Sequence, residues 1–189
     1  MLGGGTSQIA FDLEVVPAFS FEIGKWTHLK TKPDPTAPPT GYPAPRKCHS
    51  CVQYKTDKGI EVVISGGFYS ELEYYKDIWK LSLNTLQWQF FKTTALPNPL
   101  YFHDAATSGN GLMYIFGGIS VKDSSEGRTN DIYKMWVTVP KLSEVCWEAL
   151  LHYHPKLPLY SKDVLLEIGV PNKFANRIDR SELKTYTNL

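Results

Sequence analysis

Ile60-Glu61-Val62-Val63-Ile64-Ser65-Gly66-Gly67 decides how this chain is built. Four β-branched residues crowd the run, and a branched Cβ restricts χ1 and favours the pleated, half-buried backbone of a strand. The glycine pair then stops the strand and permits a tight bend. A second run, Leu112-Met113-Tyr114-Ile115-Phe116, ends in Gly117-Gly118, and a further pair, Gly4-Gly5, stands near the N-terminus. The likeness goes beyond glycine. Gly4-Gly5, Phe19, Phe21 and Trp26 return 62 positions later as Gly66-Gly67, Leu81, Leu83 and Trp88, in one ungapped register. At an offset of 54, Pro43-x-Pro45-x-x-x-His49 returns as Pro97-x-Pro99-x-x-x-His103, and Asp77-Ile78-Trp79-Lys80 as Asp131-Ile132-Tyr133-Lys134.

A period near 50 with double glycines and a later tryptophan resembles the kelch repeat, in which each copy is one four-stranded propeller blade. The segment Pro43-Ala44-Pro45-Arg46-Lys47-Cys48-His49-Ser50 resembles the blade opening of kelch-domain proteins; in the later copy Leu100 stands in place of Arg46 and Asp104 in place of Ser50. Propellers close with 4 to 8 blades, and residues 1–139 hold fewer than three at about 50 per repeat. The expected fold is therefore all-β: kelch-type propeller blades in an incomplete ring of about three partial blades, followed by a small α-helical segment at 140–189. The first copy begins almost at its glycine pair, so the chain reads as the C-terminal part of a longer kelch protein. An open array leaves strand edges and inter-blade aromatics uncovered, which predicts marginal stability or self-association.

The helical segment carries two apolar patterns. Leu142, Val145, Cys146, Ala149, Leu150 and Tyr153 fall at i, i+3, i+4, i+7, i+8 and i+11, one stripe of an amphipathic helix that should be buried against something. Leu142-x-x-x-Cys146-x-x-x-Leu150 resembles the elongin-binding box, and Val170-Pro171-x-x-Phe174-x-x-x-Ile178 resembles the cullin-2 box. A Leu-Cys-Leu spacing also arises in ordinary core helices; it is the order and separation of the two patterns that favours an adaptor. Lys141 stands where the elongin box usually has Thr, Ser or Pro. Tyr160 replaces the second proline that a cullin-5 box would carry, so cullin-2 is the better match.

Composition narrows the rest. Among 189 residues, 42% are hydrophobic and 13% aromatic, enough for a real core. Twenty basic against nineteen acidic residues give a net charge of +1, with no electrostatic case for nucleic acid or an anionic membrane. No secretory signal or stretch of ~20 apolar residues is present, and three cysteines do not make a disulfide framework. Cytoplasm and nucleus are the expected locations. Cys48-x-x-Cys51 is half of a zinc or redox motif without a second half, so no metal and no cofactor are expected. His49 and His103 read as structural, hydrogen-bonded within blades. Six prolines between Thr31 and Arg46 predict an extended connection, either a surface loop or a ligand for a proline-reading domain. Ser120 to Asn130 reads as a mobile loop.

The combination of kelch blades with both boxes is similar to that of the kelch-repeat substrate receptors of cullin-2 RING ubiquitin ligases. The resemblance implies a non-catalytic subunit that docks elongin C, with elongin B, through Leu142, Cys146 and Leu150. Cullin-2 would dock through Val170, Pro171, Phe174 and Ile178, and the blades would capture protein substrates that end in a small residue. A terminal carboxylate would be held by arginine and hydroxyl donors at a blade rim, for which Arg46, Tyr69, Ser70 and Tyr101 are the candidates. Arg46 could equally be an internal salt-bridge partner. Two other functions stay open: a scaffold that binds a signalling protein without recruiting a ligase, and a short form that competes for elongin C. No catalytic constellation is apparent among the five scattered histidines.

Overall fold

A computed structural model describes residues 1–178 apart from 38 and 124. The chain divides into two compact units, Met1–Thr138 and Val139–Leu189.

The first unit is a series of antiparallel blades. Its centre is a four-stranded sheet in which β3 (Ser50–Thr56), β4 (Gly59–Ser65), β7 (Ile78–Ser82) and β8 (Gln87–Phe90) pair in that order. The run that ends in Gly66-Gly67 is β4, and it is buried on both faces from Val62 to Ser65. Val63 enters a core with Val52, Tyr54, Ile78, Met113, Ile115 and Val137 on one side. Ile64 enters another on the opposite side, with Leu13, Ala37, Trp79, Leu81 and Trp88. Alternation along one strand thus joins the middle blade to both neighbours.

The preceding blade contributes β1 (Val15–Ser20) and β2 (Lys25–Lys30), and the following one β10 (Asp104–Thr107), β11 (Leu112–Phe116) and β14 (Ile132–Trp136). After each of the later two glycine pairs a hairpin leaves the blade: β5 (Phe68–Ser70) with β6 (Glu73–Tyr74), and β12 (Ile119–Lys122) with β13 (Ser125–Arg128). β9 (Leu100–Tyr101) pairs with β12, and the single bridge between Lys47 and Phe68 repeats that pairing one blade earlier.

Three expectations need correction. The N-terminal glycine pair is Gly3-Gly4, not Gly4-Gly5. Its φ angles of 60° and 95° match the 62° and 87° of Gly66-Gly67 and the 68° and 89° of Gly117-Gly118. A Cβ on Gly3 would strike the His49 ring just as one on Gly66 would strike His103. Because Phe19 pairs with Trp26 as Leu81 pairs with Trp88, the offset of 62 holds for the strands, and one residue is inserted between them and the glycines. The second correction concerns 120–130. Most of this stretch is the β12–β13 hairpin rather than a mobile loop, since hydroxyls elsewhere in the fold anchor Glu126.

The proline-rich connection is ordered, and it doubles back rather than running extended as expected, with the Asp34 amide donating to the Gly41 carbonyl and the Ala37 amide to the Asp34 carbonyl. Lys32 exchanges backbone hydrogen bonds with Leu86 and Trp88, Asp34 accepts from the Phe90 amide, and Ala37 enters the core. Burial keeps the Asp34 carboxyl in contact with these donors, and the hydrogen bonds from Phe90 and Thr36 outweigh the cost of burial, holding its pKa below the ordinary value.

The outer faces of the two terminal blades expose apolar side chains, Phe19, Phe21 and Trp26 on the first and Tyr114, Phe116 and Ile132 on the last. Trp88 is 1% exposed and its indole donates to the Leu13 carbonyl and the Thr31 hydroxyl, whereas its repeat equivalent Trp26 is 60% exposed.

In the second unit, α1 (Leu142–Tyr153), α2 (Lys162–Glu167) and α3 (Asn172–Ile178) enclose a core of Trp147, Leu157, Leu165, Val170, Phe174 and Ala175. Gly169 takes φ +90° just beyond α2, and the Pro171 carbonyl accepts the first amides of α3. Residues 179–189 of the expected helical segment lie outside the described residues. Among the described residues, no helix is long and apolar enough to cross a membrane.

The two repeat-equivalent tryptophans should therefore behave oppositely. Trp88→Ala should cost about 3–5 kcal/mol and Trp26→Ala less than about 1 kcal/mol, read from urea denaturation of each variant.

Candidate interaction surfaces

The expected rim residues do not gather into one carboxylate site. Arg46 is 0% exposed. Its guanidinium grips Asp77 with two bonds of 2.6 and 2.9 Å, donates to the Gly66 carbonyl at 3.1 Å and to Ala44 at 3.0 Å, and lies 4.3 Å from the Tyr75 ring centroid. A guanidinium so engaged is a strut between a blade opening and the glycine bend of the same blade, so Arg46 is not available to a substrate carboxylate. One blade later Leu100 occupies its place inside the apolar core, and Asp131 instead accepts from Thr129 and Tyr133.

Tyr69 and Ser70 do line a cleft, together with the Gly5-Thr6-Ser7 turn and Lys47. Lys47, which sequence reasoning passed over, sits 5.2 Å above the Phe68 ring and donates to the carbonyls of Thr6 and Ser7. A simple signal points to it. When Arg46 turns inward, the next residue of an extended segment turns outward.

Tyr101 belongs to a neighbouring pocket and is itself buried. Its hydroxyl donates to Glu126 at 2.8 Å, and Tyr74 donates to the other oxygen of the same carboxylate. Those two donors hold the Glu126 carboxyl below its ordinary pKa. Burial, then the hydrogen bond to Glu126, pushes the Tyr101 phenol up to about 12. Phe68, Tyr74 and Tyr101 form an aromatic cluster with centroids 5.0 to 5.9 Å apart.

Between the blades, Ser50, Ser65 and His103 form a buried chain: the two hydroxyls are 2.8 Å apart and the Ser65 hydroxyl is 3.0 Å from the His103 Nε2. The expectation that His103 is bonded within its own blade is corrected, because Ser65 belongs to the blade before. Such a pair could pass for a nucleophile and base, but all three groups are closed off from solvent. Cys48 and its repeat equivalent Phe102 both adopt positive φ, 56° and 54°, at the turn that places these histidines. Among the described residues no cluster of three His, Cys, Asp or Glu side chains is assembled as metal ligands would be.

In the helical unit the two boxes part company. Leu142 is 76% exposed, and Val145, Cys146, Ala149 and Tyr153 are exposed with it. The stripe expected to be buried therefore faces solvent, and only Leu150 partly joins the core. α1 packs through its other face. Trp147 stacks on Phe174 at 4.8 Å, and Arg177 makes a two-pronged ion pair with Glu144 at 2.6 and 2.9 Å. Among the described residues, no side chain caps α1 at Lys141. In the second box Val170 and Phe174 are buried and Ile178 packs against them, leaving Pro171 exposed. The apolar members of that box are internal to the unit, which corrects their expected role as direct docking contacts.

These blades and their recurring glycine bends define a class. The KLHDC2/KLHL20/DRC7 Kelch-repeats domain matches residues 1–154, and the chain belongs to this kelch-repeat family. Kelch-repeat domains typically serve as non-catalytic interaction modules. Among relatives, the Kelch domain-containing protein 10 homolog of Drosophila melanogaster is 49% identical over 185 residues, 94% of this chain and 30% of the relative. Kelch domain-containing protein 10 of Xenopus laevis is 45% identical over 179 residues, and that of Homo sapiens 42% over 178, again covering 94% of this chain. The chain spans 41% and 38% of the length of those two relatives.

The inter-blade histidines make stability depend on pH. Burial lowers the pKa of His49 and of His103 to about 4, assisted at His49 by the Arg46 charge. The unfolded imidazoles protonate near 6.5. Between those values the unfolded chain binds more protons, so stability is full above about pH 6.5 and is lost as pH falls toward 4, by at most roughly 1.4 kcal/mol per pH unit for each histidine. Urea midpoints measured across this range should fall on acidification, and His103→Gln should flatten the slope.

Proposed function

We propose that this chain is a substrate-recognition adaptor of a cullin-2, elongin B/C RING ubiquitin ligase, acting in cytoplasm and nucleus to promote degradation of proteins captured by its blades. The observation that carries this reading is the two-sided character of α1. Its Glu144–Trp147–Leu151 face holds the helical unit together, so the exposed Leu142–Val145–Cys146–Ala149 face is left with an apolar surface and, among the described residues, no structural task. An exposed apolar stripe of this kind is the usual mark of a protein-binding surface. Cys146 suits a tight slot as a small, adaptable hydrophobe.

The second box supports the reading in a different way. Val170, Phe174 and Ile178 set the position of α3, and the surface offered to cullin-2 is the exposed Pro171 with the apolar groove beside it, lined by Tyr153, Leu157, Tyr160 and Ile168. For the substrate, the Tyr69–Ser70–Lys47 cleft retains an ammonium group and hydroxyls suited to a terminal carboxylate, in place of Arg46. The alternative is a kelch scaffold that binds a signalling protein and recruits no ligase.

Co-purification with elongins B and C and with cullin-2 tests the adaptor. Burying a leucine contributes ~1.5–3 kcal/mol, so Leu142→Ala should weaken elongin capture about tenfold or more. Cys146→Asp, which puts a charge on the stripe, should abolish it. Both should leave the thermal stability of the chain unchanged. Pro171→Ser should spare elongin and reduce cullin-2 capture, whereas Phe174→Ala should disrupt the unit and lose both. Full elongin capture by Leu142→Ala and Cys146→Asp would sink the adaptor and favour the scaffold.

A further inference from the structure

Phe68 and Glu71 from the β5–β6 hairpin, Tyr74 from the same hairpin, Tyr101 and Phe102 from the next blade opening, and Glu126 from the β12–β13 hairpin enclose a pocket of about 500 Å³. Its walls are aromatic, and both of its charged members are carboxylates. Among the described residues no lysine or arginine is paired with Glu71 or Glu126. Lys47 already rests on the Phe68 ring, but its ammonium bonds the Thr6 and Ser7 carbonyls.

We propose that this pocket binds the guanidinium of an arginine side chain presented by a protein partner. Its geometry is prepared for a planar cation. Tyr74 and Tyr101 each donate to one oxygen of Glu126, which fixes the plane of the carboxylate. A carboxylate oxygen accepts more than one hydrogen bond, so both oxygens keep the capacity to receive a forked guanidinium. The Tyr74 and Tyr101 rings are stacked at 5.7 Å, and Phe102, 64% exposed, meets Tyr101 at 5.3 Å. Aromatic faces beside a carboxylate attract a cation, and a flat, weakly hydrated guanidinium stacks on them better than an ammonium. The same arrangement repels a carboxylate, which separates this pocket from the Tyr69–Ser70 cleft. The proposal stands apart from the ligase reading, because an arginine could be supplied by any partner of the blades.

The test is an NMR titration of the full chain with the peptide acetyl-Gly-Ser-Arg-Ser-Gly-amide. Blocking both termini removes any terminal carboxylate, so failure here says nothing against capture of substrate C-termini. Amide shifts should concentrate at 68–75, 101–102 and 126. Replacing arginine by its neutral isostere citrulline should weaken binding about tenfold or more, and Glu126→Gln should do the same with the arginine peptide. Since Glu126→Gln also loosens the hairpin, the citrulline comparison on the unaltered chain decides. No saturable shifts at millimolar peptide, shifts elsewhere, equal binding of citrulline, or equal binding of a lysine peptide would each overturn the assignment.

Discussion

The burial of β4 on both faces is the constraint from which the rest of the first unit follows. Val63 and Ile64 are neighbours in sequence and belong to different cores, so neither core can form without fixing the middle sheet relative to the next. A strand buried on both sides must also end without exposing its backbone, and the glycine bend at Gly66-Gly67 does this by bringing the chain under the following blade opening, where the Gly67 amide reaches the Leu100 carbonyl. The glycines are required by contact as well as by φ. A Cβ on Gly66 would come within 2.2 Å of the Leu100 carbonyl oxygen.

Polar groups then lock the joints that apolar packing brings together. Arg46 and Asp77 tie the opening of the middle blade to its third strand, and Trp79 adds its indole to the same carboxylate at 2.6 Å. A buried guanidinium with four of its donors satisfied fixes geometry strictly, whereas losing Asp77 would leave Arg46 an uncompensated buried charge, an error of about 3–5 kcal/mol. The next blade solves the same joint with Leu100 and packing alone. One repeat scaffold thus tolerates an ionic and an apolar version of the same contact.

What could be read from the sequence was whatever depended on near neighbours. The strand runs ending in Gly-Gly and the existence of a helical segment after residue 140 are local patterns, and they appear where composition places them. The failures were long-range. Arg46 reads equally as a rim cation and as an internal salt-bridge partner until Asp77, 31 residues later, is brought beside it. Ser120–Asn130 has the composition of a loop, and its hairpin depends on tyrosines 52 and 25 residues away. α1 carries two apolar stripes, and periodicity alone cannot rank them. Trp147, with the largest apolar area on the helix, takes the core and turns the Leu142–Cys146 stripe outward. The slip of one residue at Gly3-Gly4 was hidden because a run of three glycines aligns equally well in two registers.

The division of α1 into a structural and a bare face has an evolutionary side. Residues on the Glu144–Trp147–Leu151 face are constrained by folding, since each is tied to α3 or to the core behind it. Those on the opposite face carry almost none of that burden. Substitutions there change what the helix can hold without changing whether it forms, so partner choice can drift by single residues while the unit beneath it stays the same.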